Sequence, residues 1–463
     1  MHNPRKIIAI AVGKIMILLS RMIGRQGSNL PGLLALKIYP PLLRELSDNT
    51  TKATYAVTGT NGKTTTTNMI ASIIRESGHT LVHNQAGANM LTGILTAFID
   101  YTNLTGSRPH DYALLETDEA NIPSLLTIIT PRYILVTNFF RDQLDRYGEL
   151  DQTIRLIKDS VKGTNIELIL NADDPLQSQF QAETGLKCWY YGLENTKYDV
   201  MSSSESREGR YCVVCGHQLE YQRFHYAQLG DYLCPQCGNH NPKPDFTCNQ
   251  LQMTPAIQMR VNDTRIVSPY QGIYNAYNIL AAASLCKLAG FRDDAIQTAI
   301  ANFNPTAGRQ ETFVINGKPV LLLLVKNPTG LNQTLAMLSQ DDREKNLFIA
   351  LNDNAADGRD ISWIWDAEVE SVIHPESRIN RIICSGQRCG DMAVRFKYAG
   401  FATERIMITP SLRDGIGQAV ELSSQVAYVL CTYTALFAAR HILIKMHPEK
   451  DEGVPGLAQG GSN

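Results

Sequence analysis

The chain has 463 residues, ten of them cysteine, with 44% apolar and 19% charged residues and a formal net charge of −2. A length of this order, at ~100–200 residues per domain, predicts two to four domains. The composition excludes a disordered chain, and the near-neutral charge excludes a global field that would recruit nucleic acid.

The first 48 residues read as a helical N-terminal segment. Residues 7–19 are apolar, but Lys14 interrupts the run and Arg21 follows it. That is short for a membrane span of about 20 residues. The run predicts a helix packed on the protein or on a partner, with a helix resting on the inner membrane surface as the alternative. From residue 54, apolar runs at 54–57, 80–83, 112–115, 133–136 and 168–170 alternate with helical stretches, 64–76 being the first. This alternation predicts a parallel α/β sheet in a middle domain spanning 49–305. A Ser/Glu/Arg-rich stretch then opens a Cys-rich insert, 203–248, and a helix is expected over 276–288. Beyond Gly308-Arg309, five more runs (320–325, 347–351, 381–384, 405–408 and 426–430) predict a smaller, Rossmann-like doubly wound domain over 306–450. Residues 451–463 are Gly-rich and read as a disordered tail.

Gly59-Thr60-Asn61-Gly62-Lys63-Thr64-Thr65 joins the first predicted strand to the first predicted helix. Glycines let the backbone turn tightly and aim N–H groups at phosphate oxygens, and the helix N-terminus adds a favourable partial charge. Lys63 is placed to neutralise the outer phosphates of ATP, and the Thr64 hydroxyl to hold Mg²⁺. Val57 stands where the generic loop has its first glycine. Glu116 ends a later strand and supplies the oxygen ligand a hard cation needs. Asn138 ends the next strand, and residues 141–145 follow as Arg-Asp-Gln-Leu-Asp. The loop 83–89, just after a strand, is a candidate substrate rim. Asn84 and Asn138 are the candidate substrate contacts.

Cys212-x-x-Cys215 and Cys234-x-x-Cys237 are separated by 18 residues. Two such knuckles give a tetrahedral thiolate set, for which zinc is the default and iron the alternative. No cleavable signal precedes the cysteines, so a reducing, cytoplasmic setting fits better than a secreted disulfide framework. The other six cysteines lack pairing and read as small hydrophobes. No basic stripe marks the insert for nucleic acid.

These motifs carry a family resemblance. The GTNGKTT loop resembles that of the Mur ligase and folylpolyglutamate synthase superfamily. The segment 136–145 is similar to that family's strand-end Asn and acidic stretch. Residues 273–283, with Asn275 and Asn278, resemble its adenine-side helix, and Gly308-Arg309-Gln310-Glu311 resembles the opening of its C-terminal domain. The resemblance implies a ligase that binds ATP through the loop 59–65, Asn275, Asn278 and Arg309, with Mg²⁺. The chain departs from the amino-acid-adding members at Gln143, where they have His, in showing no obvious match for the lysine that many of them carbamylate, and in its short N-terminus.

The Cys-rich insert and Asn352-Asp-Asn-Ala-Ala-Asp-Gly-Arg-Asp360 are similar to one branch of the family. That branch implies amidation of the α-carboxylate of D-glutamate in the lipid II stem peptide. It also implies ammonia from a GatD-type glutaminase subunit, whose catalytic His would be oriented by Asp360 supplied in trans. Asp353 and Asp357 are the alternatives for that role, and a helix cap is the structural alternative for Asp360. No Cys here sits in a Gly-x-Cys-x-Gly elbow, so a separate glutaminase is expected on chemical grounds too. Two other readings stay open: an amino-acid-adding ligase, and an ATPase whose ribbon binds nucleic acid or protein.

Overall fold

The computed structural model describes residues 3–22, 29–84, 88–140, 150–201, 208–253, 256–303, 309–421 and 424–446. The chain divides into two compact units near residue 304. The disordered-tail expectation for 451–463 and the boundary residue Gly308 lie outside the described residues.

The first unit begins with helices α1 (Pro4–Met22), α2 (Leu30–Ile38) and α3 (Leu42–Ser47). The strands then follow as β1 (Thr50–Thr58), β2 (Leu81–His83), β3 (His110–Glu116), β4 (Tyr133–Val136), β5 (Glu167–Asn171) and β6 (Cys188–Leu193). A small hairpin, β7 (Glu220–Tyr226) and β8 (Leu229–Leu233), precedes β9 (Phe246–Gln252), β10 (Ile257–Val261) and β11 (Thr264–Ser268). All but the hairpin form one nine-stranded sheet in the order β11-β10-β9-β6-β5-β4-β1-β3-β2.

β1 lies inside the sheet, between β4 and β3, and both its faces are apolar. Tyr55 and Val57 enter the core under α4 (Lys63–Glu76) and the helix Ile273–Leu288, whereas Ala56 enters the core under α1, α3 and α5 (Leu91–Tyr101). Period-two alternation along the strand therefore feeds two helical layers, the usual architecture of a parallel sheet.

Two expectations change. The sheet is parallel from β2 to β9 but ends in an antiparallel β9-β10-β11 edge. There Asn262-Asp263 makes a tight turn, with Asn262 at φ 50. The insert also ends earlier than residue 248: Phe246, Thr247 and Cys248 pair with Tyr191, Gly192 and Leu193 of β6. Phe246 and Cys248 alternate into the core, which pulls the segment back into the main sheet.

The second unit holds β12 (Arg309–Ile315), β13 (Lys318–Leu324), β14 (Lys345–Ala350), β15 (Ile379–Ser385), β16 (Ile406–Ile408) and β17 (Val426–Cys431), ordered β12-β13-β17-β14-β15-β16. Only β12 runs antiparallel to its neighbour. β14 is buried throughout: Leu347 and Ile349 face one core, and Phe348 and Ala350 the other.

Candidate phosphate-binding and metal sites

The winding direction reverses around β1, with β3 and β2 on one side and β4 on the other. Loops leaving the carboxyl ends of β1, β3 and β4 therefore converge, as ligand loops do in open α/β sheets.

The loop after β1 turns through Gly59 at φ +116 and Gly62 at φ +84, and α4 starts at Lys63. A side chain at Gly62 would put its Cβ 2.1 Å from Asn278 Oδ1. Asn138 clamps the loop from β4. Its Oδ1 accepts from the Asn61 N–H at 2.9 Å, and its Nδ2 donates to the Asn61 carbonyl at 3.1 Å. Thr137 Oγ1 donates to that same carbonyl at 2.8 Å, and the Thr60 N–H donates to the Asn138 carbonyl at 2.9 Å. The loop is thus held open in one shape by side chains rather than by a ladder.

Lys63 is buried at the helix start. Its Nζ donates to the Gly59 carbonyl at 2.5 Å and faces Glu119 Oε2 at 3.1 Å and Asp118 Oδ1 at 3.4 Å. Beside it, Thr64 Oγ1 donates to Glu116 Oε1 at 2.8 Å. A hydroxyl and a carboxylate side by side at a helix N-terminus form the hard-oxygen pair that Mg²⁺ takes, most of its remaining ligands being water and phosphate. The sequence-derived residues Gly59, Thr60, Asn61, Gly62, Lys63, Thr64, Thr65 and Glu116 therefore meet at one place. Asn275 and Asn278, on the first turns of Ile273–Leu288, are buried and joined at 3.2 Å, and Asn278 Oδ1 accepts from Thr66 Oγ1 at 3.4 Å.

Two of the sequence-derived residues are held by backbone groups. Asn84 and Asn138 were expected at the substrate. Asn84 is 1% exposed; it donates to the Glu116 carbonyl at 2.8 Å and accepts from the Glu116 N–H at 2.8 Å. It locks the end of β3, as Asn138 locks the phosphate loop. A short amide beside two strand ends is satisfied by backbone before any ligand arrives. Arg309 begins β12, opposite Leu323; its side chain lies outside the described residues, as do residues 85–87 and 141–145.

Sequence reasoning missed Asp118 and Glu119, and read Asn89 only as the end of the 83–89 rim. Asn89 Nδ2 donates to Asp118 Oδ1 at 2.5 Å, so the end of the 83–89 loop lies beside a carboxylate that faces Lys63. The signal was the run Glu116-Thr-Asp-Glu119 at a strand end, directly opposite a phosphate-loop lysine.

We expect Gly62→Ala to weaken ATP-analogue binding by about tenfold or more. A non-glycine residue at positive φ costs roughly 1–2 kcal/mol, and the clash with Asn278 adds to it. Calorimetric titration checks this; unchanged affinity would mean that the loop does not touch the nucleotide.

The Cys-rich insert has two matching knuckles. The Cys212 carbonyl accepts from the Gly216 N–H at 2.8 Å and the Cys234 carbonyl from the Gly238 N–H at 2.9 Å, with both glycines at positive φ. The sulfurs of Cys212, Cys215, Cys234 and Cys237 all lie within 4.8 Å of one another, with Cys212–Cys237 at 3.6 Å and Cys215–Cys234 at 3.5 Å. Four thiolates about 2.3 Å from a shared metal would sit ~3.8 Å apart, so the set fits a tetrahedral ion.

The insert is tied to the phosphate site. Gln228, at the β7–β8 turn, donates to the Phe139 carbonyl at 2.6 Å and to Asp174 Oδ1 at 3.0 Å. Asp174 Oδ2 in turn accepts from the Phe139 N–H at 2.9 Å. Burial pushes the Asp174 carboxyl up to about 6, although backbone and side-chain donors pull it down. Phe139 adjoins Asn138, the loop clamp.

In the second unit, three Asp lie beyond β14. Asp353 pairs with Arg388 at 2.7 Å. Asp357 is buried and accepts from the Thr434 N–H at 2.7 Å. Asp360 accepts from the Ser362 N–H at 2.8 Å, opening the short helix Ser362–Trp365, and lines a surface cavity of about 410 Å³ with Arg359, Trp365, Asp391 and Val394.

Residues 57–234 match the family model of the Mur ligase middle domain, and residues 324–436 that of the MurT ligase C-terminal region. The chain is 36% identical, over 85% of its length and 88% of the relative's, to the lipid II isoglutaminyl synthase (glutamine-hydrolyzing) subunit MurT of Staphylococcus aureus strain COL. It is 33% identical to the subunit of the same name in Streptococcus pneumoniae R6, over 95% of this chain and 97% of that one. Among solved structures, a pseudomurein peptide ligase type C from Methanothermus fervidus shares the fold, with a TM-score of 0.66 at 21% identity over 87% of this chain and 80% of that one. The chain belongs to the Mur ligase family, on its MurT branch.

Proposed function

We propose that this chain is the synthetase subunit of a lipid II isoglutaminyl synthase, converting the α-carboxylate of stem-peptide D-glutamate to the amide. The observation that carries this reading is the likeness to MurT subunits along most of the chain, at 33–36% identity.

A carboxylate does not react with ammonia at neutral pH, because oxide is not a leaving group. The carboxylate oxygen attacks the γ-phosphorus of ATP, ADP leaves, and an acyl phosphate forms. Ammonia then adds to the acyl carbon, phosphate departs, and a proton is lost. Little covalent work falls to the protein; positioning and neutralisation of charge do most of it. Lys63 neutralises the outer phosphates, and the N–H groups at the start of α4, positioned by the clamp of Asn138 and Thr137 on the loop, cradle them. Thr64 and Glu116 would hold a Mg²⁺ ion, which would supply charge neutralisation on the phosphates. Asp118 and Glu119 keep the Lys63 ammonium aimed into the loop. Asn275 and Asn278 complete the nucleotide site within the first unit. A zinc ion on Cys212, Cys215, Cys234 and Cys237 would be structural, because four thiolates leave no position for water.

Ammonia comes from a GatD-type glutaminase, to which Asp360 contributes the group that orients the catalytic His. Asp353 and Asp357 fit the role less well, since one is paired with Arg388 and the other is buried against Thr434. The cavity beside Asp360 and the exposed Trp365, Val394 and Tyr398 give that partner a surface.

The test is Asp360→Asn in the complex, assayed with two nitrogen sources. Glutamine-dependent amidation should fall by roughly 10³–10⁴-fold, as when a triad Asp becomes Asn. Amidation driven by an ammonium salt should persist. Loss of both activities would place Asp360 in the ligase site or the fold, and retention of both would remove it from the mechanism.

A further inference from the structure

The helix α1 is amphipathic in an inverted sense. Its packed side is made of Ala9, Ile10 and Gly13, all buried. Gly13 lets the helix approach so closely that a Cβ there would lie 2.9 Å from Ile99 Cδ1 of α5. The side turned to solvent is apolar: Ile8 is 53% exposed, Ile15 58%, Leu18 60%, Leu19 44% and Met22 75%. These positions recur at helical spacing and form one stripe. No acidic residue occurs anywhere in α1. Arg5 lies along one long edge of the stripe, and Lys14 and Arg21 lie along the other. Arg21 is held there by Asp100 at 2.7 Å, and Lys14 Nζ donates to the Asp100 carbonyl at 3.3 Å.

An apolar stripe edged by cations is the pattern of a helix that lies in a bilayer interface, its aliphatic side chains among the acyl chains and its cations at anionic headgroups. The size argues the same way. From Ile8 to Met22 the helix rises about 21 Å, so the stripe covers about 200–300 Å². A stable protein interface takes roughly 800 Å² from each partner. No helix among the described residues is long and apolar enough to cross a membrane.

We propose that the outer face of α1 docks this chain on the surface of an anionic lipid bilayer, bringing the ligase to a membrane-borne substrate. The proposal deepens the amidation reading and rests on it for the nature of the substrate.

The experiment is co-sedimentation of the full chain with vesicles that contain no lipid II. One set is phosphatidylcholine alone, and the other is phosphatidylcholine with phosphatidylglycerol. The chain should sediment with the anionic vesicles, less so as salt rises. Ile15→Asp combined with Leu18→Asp should lower the bound fraction by about tenfold or more, since charge replaces inserted apolar surface. Both sites are exposed, so the melting temperature should hold; Met22→Asp, at the most exposed position, provides an independent variant. A wild-type chain that stays in the supernatant, or variants that bind as well as wild type, would overturn the proposal. So would a wild-type dimer that the variants convert to monomer, because the stripe would then cover a second copy. Amidation of detergent-dispersed lipid II, measured separately, keeps this failure distinct from failure of the amidation reading.

Discussion

Lys63→Ala should lower ATP-dependent turnover on the order of a thousandfold, because the loss falls on charge that develops as the phosphoryl group moves. Lys63 places its ammonium at the loop, within 3.4 Å of both Asp118 and Glu119. The substitution therefore does two things: it removes the phosphate's counter-charge and leaves two carboxylates facing the loop. Those side chains are 7% and 9% exposed. Breaking a buried pair of this kind costs ~3–5 kcal/mol when the remaining charge stays ionised. Nucleotide affinity should fall with turnover, and the melting temperature should drop while the protein still folds. Single-turnover phosphoryl transfer and a thermal melt on the same preparation separate the two effects. Near-normal transfer in the variant would mean that this loop is not where ATP reacts.

The second large effect is expected at the Cys-rich insert. Among the described residues, the core that the insert has of its own is Cys212, Leu219, Tyr232 and Cys234, with Tyr221 packed against it. A two-stranded hairpin with so little apolar burial is marginal by itself. A structural zinc ion contributes apparent binding energies of ~10–16 kcal/mol in small domains, which far exceeds what four side chains supply. The purified chain should hold about one zinc ion, the stoichiometry of a single four-thiolate site. Cys215→Ser or chelation should release the ion and open β7 and β8 to hydrogen exchange. Because Gln228 bridges the hairpin turn to Phe139, next to the Asn138 clamp, metal loss should also weaken ATP binding. Metal analysis that finds neither zinc nor iron would contradict the assignment. Exchange that leaves β7 and β8 protected after chelation would confine the metal to a lesser role.

Some of this was legible in the sequence because the chemistry leaves few options. The phosphate loop needs glycine at Gly59 and Gly62 and a Lys-Thr at the helix start, and the structure holds both glycines at positive φ. The two Cys-x-x-Cys knuckles carry their own spacing, and each is followed by the glycine that closes it. Other features depend on pairing across the fold. Asn84 and Asn138 read as polar strand-end residues, but only the pairing of β2 with β3 and of β4 with β1 shows that their amides face backbone. Asp174 meets Gln228 across 54 residues, a separation no local pattern reports. Phe246 and Cys248 were assigned to the insert because composition marks where a Cys-rich stretch begins better than where a strand resumes. The apolar run in α1 was visible, but not which of its faces is buried; the small residues Ala9 and Gly13 decide that.

The central claim is that this chain amidates a carboxylate at the expense of ATP. It is tested most directly by supplying the purified chain with lipid II, ATP, Mg²⁺ and ammonium chloride, without any glutaminase, and examining the stem peptide by mass spectrometry. The expected result is replacement of one carboxyl hydroxyl by an amino group on the D-glutamyl residue, with ADP and phosphate released in equal amount. Unchanged lipid II while ATP is consumed, or an added amino acid in place of the amide, would contradict the account.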